Sequence, residues 1–301
     1  MTASPRKILL IDDDQLQCRL TQAHFKKFSQ ETFALDWAET YEDGLARLLG
    51  GDYAACLLDF QLGERNGLQL IGEAMAAGCH TPIVFLTAET AERVDIEAMK
   101  AGALDYLVKG EITSRMLERS LRYALNLGET LDALRRLATR DELTGLLNRR
   151  EFERILAEES DRALRFGRPV ALVLVDIDHF KRINDTHGHP VGDEVLRQVA
   201  QRLSEQARSV DRVLRYGGEE FALLVMETDQ AAALNVAQRI CETVKRAPIA
   251  AGDGVNLSVT VSAGVAVIPG DATSGTALLA SADKALYTAK ARGRDCAVAA
   301  G

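Results

Sequence analysis

No apolar run in the 301 residues approaches the ~20 needed to cross a bilayer, so no membrane role is expected. The N-terminus, "MTASPRKILLIDDD", lacks a signal-peptide core and turns acidic at once, which points to a cytoplasmic protein. Cysteine is sparse: Cys18, Cys56, Cys79, Cys241 and Cys296 are scattered, odd in number and without metal-type spacing. That excludes a disulfide framework or a thiolate zinc site and suits reduced thiols. There is no excess of basic charge either. The net charge is −8, and no basic run is interleaved with aromatics, which argues against nucleic acid as a partner. A single nucleotide stays possible, because its site needs only a few local cations and a metal. Internal repeats and low-complexity segments are absent. What remains is 47% hydrophobic and 27% charged residues, a soluble globular composition long enough for two domains.

The first third alternates "KILLI", "FALDW", "AACLL", "PIVFL" and "DYLV" with amphipathic stretches of about ten to fifteen residues. This rhythm predicts βαβ units and a doubly wound parallel sheet, an α/β (βα)5 domain over residues 1–125. Ligand chemistry in such a sheet belongs at the C-terminal strand ends. Asp12, Asp13, Asp59, Thr87 and Lys109 all fall there. Three converging carboxylates repel one another without a cation, and oxygen ligands suit Mg²⁺. An aspartate beside such an ion can attack a phosphoryl group, with Thr87 and Lys109 receiving the incoming oxygens.

Residues 112–138 contain no proline and one glycine, Gly128. Ala124, Leu127, Leu131, Leu134 and Ala138 recur at intervals of three and four, which suits a signalling helix paired in a homodimer. The alternative is one amphipathic helix lying on its own domain, as "LERSLRYAL" is expected to do.

Residues 139–301 read differently. "VALVLVD" and the hairpin "RVLRYGGEEFALLVM" join "LSVTVSAGVAVI", a predicted long strand with Leu257, Val259, Val261, Ala263, Val265 and Val267 on one face. Helices are predicted at about 149–166, 190–208, 230–246 and 276–291. Hairpin strands packed with helices make an α+β sheet. Asp176 ends a strand of Val, Leu and Ala, so it should be held rather than merely solvated. Asp178, Lys181, Asn184, Asp185 and Asp193 come close behind it, whereas His187 and His189 lack the partners of a transition-metal site. A Gly-Gly turn is in itself only a hairpin signal. Placed beside Asp176, it would bring Glu219 into a carboxylate pair for Mg²⁺, with bare glycines where a substrate must approach. Arg208 and Asp211 form an RxxD pattern, and i,i+3 ion pairs of that kind are common.

"ILLIDDD", "CLLDF", "FLTAE" and "AGALDYLVKG" resemble a response-regulator receiver domain. The resemblance implies that a histidine kinase or other phosphodonor phosphorylates Asp59. It also implies that Asp12, Asp13 and the Gln61 carbonyl complete the Mg²⁺ shell, and that Thr87 and Tyr106 are the switch pair beside Lys109. Gly110 departs from the family's proline, which comes after the lysine in a cis peptide; before a non-proline that bond costs about 2.5–4 kcal/mol.

"DELTGLLNRREF", "DIDHFKRIND", "YGGEEF" and "DKALYTAKARGRD" resemble the GGDEF domain of diguanylate cyclases, in its GGEEF form. The resemblance implies a five-stranded sheet surrounded by helices and condensation of two GTP into cyclic di-GMP and two pyrophosphates. Carried over, Asp176, Glu219 and the Ile177 carbonyl hold Mg²⁺. Glu219 assists the attacking 3′-hydroxyl, and Glu220 is a second candidate for metal or base. Asn184 and Asp193 read guanine. Lys290 and Arg294, expected on one face of the last helix, bind phosphate with the backbone amides of Phe180 and Lys181. Arg208 and Asp211, with Arg239 from a neighbouring domain, form an inhibitory product site. The alternative is an inactive GGDEF module that senses GTP or cyclic di-GMP.

Overall fold

Short runs of Leu, Ile and Val make the first sheet. In the computed structural model, which describes residues 5–29, 32–88, 98–251 and 256–301, the chain divides into two units, Met1–Arg135 and Arg136–Gly301. In the first, β1 (Arg6–Ile11), β2 (Phe33–Ala38), β3 (Ala55–Asp59), β4 (Ile83–Thr87) and β5 (Asp105–Val108) align in the order β2-β1-β3-β4-β5, all parallel. Every residue of β3 and β4 is buried, because helices cover both faces, and such strands read as unbroken apolar runs. The order reverses between β1 and β3, which leaves a crevice at their C-terminal ends.

Its helices include α1 (Gln15–Phe25), α2 (Tyr41–Gly50), α3 (Gly67–Ala76) and α4 (Ser114–Thr139). Asp14, Thr40 and Asn66 cap the first three through side-chain oxygens, the last in a reciprocal capping box with Gln69. α4 buries Leu117, Leu121, Ala124, Leu125 and Gly128, a stripe at helical spacing. A Cβ at Gly128 would collide with Pro82, so this glycine lets the helix lie close. Ala124 heads the expected heptad seam, yet it is fully buried in the unit's own core, whereas Leu134 and Leu137 are exposed. The helix therefore lies on its own domain as far as Gly128, and only the later seam positions stay open.

In the second unit, β6 (Val170–Ile177) lies at the centre of the order β10-β9-β6-β8-β7. β7 (Arg212–Gly217) and β8 (Glu220–Met226) form the GG hairpin, and β8 and β9 (Val261–Ile268) flank β6 antiparallel. The edge strand β10 (Ala297–Ala299), which the sequence pattern did not suggest, runs parallel to β9. Alternation splits the core. Ala171, Val173, Val175 and Ile177 face α7 (His189–Gln206) and α8 (Gln230–Arg246). Val170, Leu172 and Leu174 face α5 (Arg149–Phe166) and α9 (Gly275–Ala291).

The predicted strand from Leu257 is interrupted. Leu257 pairs with Ile249 in a separate two-stranded sheet, and β9 begins at Val261. Between them Thr260 stands opposite Asp178 in the continuing register: its carbonyl accepts from the Asp178 N–H at 3.0 Å and its hydroxyl donates to the Asp178 carboxylate at 2.7 Å.

Candidate functional site

At the crevice of the first unit, β1, β3, β4 and β5 deliver Asp12, Asp59, Thr87 and Lys109 to one edge. Asp12 and Asp59 are buried, Asp13 is exposed, and carboxylate oxygens of all three lie within 4.8 Å of one another. This donor set, oxygen only and compact, fits a hard divalent cation such as Mg²⁺. Lys109 Nζ stands 2.9 Å from Asp12 Oδ2 and 2.8 Å from Asp59 Oδ1. Burial pushes the Asp59 carboxyl up to about 6, against the pull of Lys109. Asp12 is also raised by burial, while its hydrogen bonds to Lys109 and the Asp14 N–H oppose the shift. Burial would lower Lys109, but its two carboxylate partners outweigh it and raise the ammonium. Gln61 lines the same cavity, and Asp13 accepts from the Gly63 N–H at 3.0 Å. Thr87 is buried and lines the same cavity, and Tyr106 is partly exposed on β5. Lys109 runs directly into a 3-10 turn, Lys109–Glu111, without the cis peptide that a proline would bring.

In the second unit the register places Glu220 directly opposite Asp176, so both side chains leave the same face. Glu219 lies in the turn, and its carbonyl accepts from the Ile177 N–H at 3.3 Å. The ladder opposes Asp176 to Glu220, and Glu219, the expected partner of Asp176 in a metal pair, sits one residue back at the hairpin tip. Gly218 takes φ +53, and Arg215 holds its carbonyl from Nε and Nη2 at 3.0 and 2.7 Å. Arg215 also grips Asp141, so the segment before α5 and the GG turn are fixed together. Burial raises Asp176, opposed by Lys290, whose Nζ lies 2.8 Å from Asp176 Oδ2. Glu220 is raised by burial and then by the negative charge of Asp176.

Lys290 lies in the last turn of α9, but Arg294 does not share its helix face. α9 stops at Ala291, Gly293 takes φ +107, and Arg294 (φ +67) lies in a left-handed turn. Glycine's free backbone ends the helix there, and the Arg294 N–H closes it on the Ala289 carbonyl at 3.2 Å. Arg294 still contributes to the field at Asp176. Phe180 and Lys181 open α6 (Phe180–His187), a short helix that the sequence pattern did not suggest. Their N–H groups belong to its first turn, where no intrahelical acceptor exists. Gly188, at φ +84, separates α6 from α7. Asn184 of α6 lies against Gly192, the residue before Asp193, and a Cβ at Gly192 would collide with Asn184 Oδ1. Gly192 thus admits the Asn184 amide, a role whose only sequence signal was a glycine inside a helix start. His187 and His189 are exposed, and among the described residues no metal-type cluster includes them.

Arg208 forks onto Asp211 at 3.1 and 3.0 Å and reaches the Met226 carbonyl at 2.8 Å. Burial would raise Asp211, but Arg208 and the backbone N–H groups of Arg208 and Met226 hold it below the usual carboxylate range. Arg239 binds the side chain and carbonyl of Gln206, near Arg208 in the chain.

The first unit is a parallel sheet with buried acids and a lysine at its switch point, and the second an α+β unit with opposed carboxylates beside a lysine. The family is set by sequence similarity. The response regulator receiver domain matches residues 8–120, and "Diguanylate cyclase, GGDEF domain" matches residues 138–296. The chain belongs to the GGDEF family and carries a receiver domain before its GGDEF domain.

It is similar to the response regulator PleD of Caulobacter vibrioides, 41% identical over 211 residues, covering 67% of this chain and 46% of the relative. It is also similar to diguanylate cyclase DosC of Escherichia coli, 41% identical over 155 residues, covering 52% and 34%. The chain therefore spans less than half the length of these curated relatives. Among solved structures, it resembles the coiled coil and GGDEF domain of DgcB from Caulobacter crescentus in complex with c-di-GMP. Identity is 34%, the TM-score is 0.57, and 62% of this chain and 98% of that one are covered. The GGDEF domain of TpbB (YfiN) from Pseudomonas aeruginosa matches at 39% identity and TM-score 0.52, covering 54% and 94%. No helix among the described residues is long and apolar enough to cross a membrane.

Proposed function

We propose that this chain is a cytoplasmic diguanylate cyclase that condenses two GTP into cyclic di-GMP and two pyrophosphates, under control of phosphorylation at Asp59 and of its own product. The observation that carries this is the opposition of Asp176 and Glu220 across β6 and β8, with Glu219 in the adjacent turn and Lys290 in contact. Asp176, Glu219, Glu220 and the Ile177 carbonyl would hold Mg²⁺, which when bound supplies charge neutralisation at the phosphates. Lys290 and Arg294 orient the triphosphate, with the first-turn amides of α6. Asn184 and Asp193 offer amide and carboxylate groups to a guanine edge. A glutamate at the turn takes the proton of the attacking 3′-hydroxyl. One domain binds one GTP, so two domains must face each other, and the protein acts as a homodimer.

In the receiver, an Asp59 carboxylate oxygen takes the phosphoryl group as the donor's bond to phosphorus breaks and the donor residue leaves, Asp12, Asp13 and the Gln61 carbonyl would hold Mg²⁺, and Thr87, Tyr106 and Lys109 respond to the new charge. Arg208 and Asp211, with Arg239, bind cyclic di-GMP; Asp211 supports this role by fixing the Arg208 guanidinium. The test is incubation of purified protein with GTP and Mg²⁺, before and after acetyl phosphate, with pyrophosphate and cyclic di-GMP quantified. Absence of both products under both conditions overturns the assignment and favours a binding module. Persistence of the phosphoryl label in Asp59→Asn overturns the phosphorylation site.

A further inference from the structure

Asp178 lies two residues beyond Asp176, yet the proposed nucleotide chemistry does not use it. It is only 5% exposed. Its Oδ1 accepts from Ser262 Oγ at 2.7 Å, and its Oδ2 accepts from Thr260 Oγ1 at 2.7 Å and from the Asp295 N–H at 3.1 Å. Its own N–H donates to the Thr260 carbonyl at 3.0 Å. A buried carboxylate with a donor at each contact is a fixed anion, and removing one such partner exposes the others to the cost of burial. Asp178 is therefore a three-way tie among the segment after β6, the approach to β9 and the chain beyond α9.

The last of these ties has a chemical consequence. The Asp295 N–H belongs to a turn in which Gly293, Arg294 and Asp295 take φ +107, +67 and +51. Two consecutive side-chain-bearing residues in the left-handed region are unfavourable and need outside support. Part of that support is an ion pair between Lys245 of α8 and the Asp295 carboxylate, and part is the Asp178 anion. Arg294, between these anchors, has an exposed side chain.

We propose that Asp178 is a positioning residue for nucleotide binding: its buried carboxylate locks the 293–295 turn and so aims the Arg294 guanidinium at the polyphosphate. The proposal rests on the nucleotide assignment of the GGDEF unit. Asp178→Asn keeps the volume but leaves one oxygen acceptor for three donors and turns an N–H₂ group on the others. Without the anion the turn relaxes towards right-handed backbone and Arg294 swings away, while Asn184 and Asp193, on α6 and α7, keep their places.

The probe is 3′-deoxy-GTP, which lacks the attacking hydroxyl and so binds without reacting, compared with 3′-deoxyguanosine, which lacks the phosphates. In the full chain with Mg²⁺, Asp178→Asn should weaken 3′-deoxy-GTP about tenfold, the scale of one lost charge-assisted hydrogen bond. The nucleoside should change by less than about twofold, since no contact to it is altered. In an Arg294→Ala background the Asp178→Asn effect should disappear. Thr260→Val should weaken the triphosphate in the same direction, and Thr260→Ser, which keeps the hydroxyl, should restore it. Equal losses for nucleoside and triphosphate, or additive losses with Arg294→Ala, overturn the positioning role. If the unmodified protein does not bind 3′-deoxy-GTP, the nucleotide assignment itself fails, and the proposal fails with it.

Discussion

Asp176 and Glu220 stand directly opposite each other on antiparallel strands, so two carboxylates share one face at the end of a buried sheet. Each is raised by burial, and each feels an acid of the other strand or a neighbouring lysine. Such a pair is unfavourable unless a cation serves both.

The first prediction concerns this pair. Asp176→Asn and Glu220→Gln should each lower kcat for cyclic di-GMP formation by about 10²–10⁴-fold, the usual weight of a positioned acid or base group. Circular dichroism and thermal melting should show a folded protein. Turnover at the unmodified rate in either variant would remove that side chain from the active site.

The second concerns pH and the receiver. Asp59 titrates at about 6, above the usual 3.8. The folded state therefore keeps a proton that the unfolded chain releases, and this group's contribution to stability falls as pH rises from about 4 to about 6. Mg²⁺ needs the carboxylate and must displace that proton. Its affinity should be full near pH 7.5 and about tenfold weaker near pH 5, one unit below the titration point. The single tryptophan can report this, because Trp37 Nε1 donates to the Asp12 carbonyl at 2.8 Å. Equal Mg²⁺ titrations by fluorescence at the two pH values would contradict the raised Asp59.

Much of the fold and site is legible in the sequence, and the failures have local causes. Strands of the parallel sheet announce themselves because burial on both faces makes them uninterrupted apolar runs, as with "ACLLD". Sites at strand ends are set by topology, which is why Asp12, Asp59, Thr87 and Lys109 can be grouped from sequence. The hairpin register is harder, since no periodicity fixes the turn and only the ladder shows that Glu220 faces Asp176 while Glu219 sits at the tip. The placement of Arg294 on a helix face fails because Gly293 ends α9 just before it. The predicted strand from Leu257 fails because Leu257 pairs with Ile249 in a second small sheet, a partnership that the alternation of 257–267 does not encode.

The third prediction concerns product control. Arg208→Ala should raise the cyclic di-GMP concentration giving half inhibition by about tenfold or more, the cost of losing a charged, bidentate contact. It should leave the initial rate without product unchanged. Inhibition at the original concentration would reduce the Arg208–Asp211 fork to a surface ion pair.

The fourth concerns α4. Two residues inserted between Ala133 and Leu134, beyond the stretch packed on the receiver, turn the downstream end of the helix by about 200° and shift it by about 3 Å. Seven residues leave only a ~20° mismatch. Activation by acetyl phosphate should be lost in the first variant and largely kept in the second, measured as the ratio of GTP turnover with and without the phosphodonor. Equal ratios would make the helix a passive tether.

Lys109 and Lys290 act alike in two unrelated sheets: Lys109 brings an ammonium within 3 Å of Asp12 and Asp59, and Lys290 brings one within 3 Å of Asp176. Each cluster thus carries its own counter-ion, covalently attached and on a flexible stem. Folding should then not wait on a cation, and an incoming metal or phosphate would exchange with the ammonium rather than complete an unfinished core. A chelator should silence both sites while leaving two intact domains, ready to work again as soon as the cation returns.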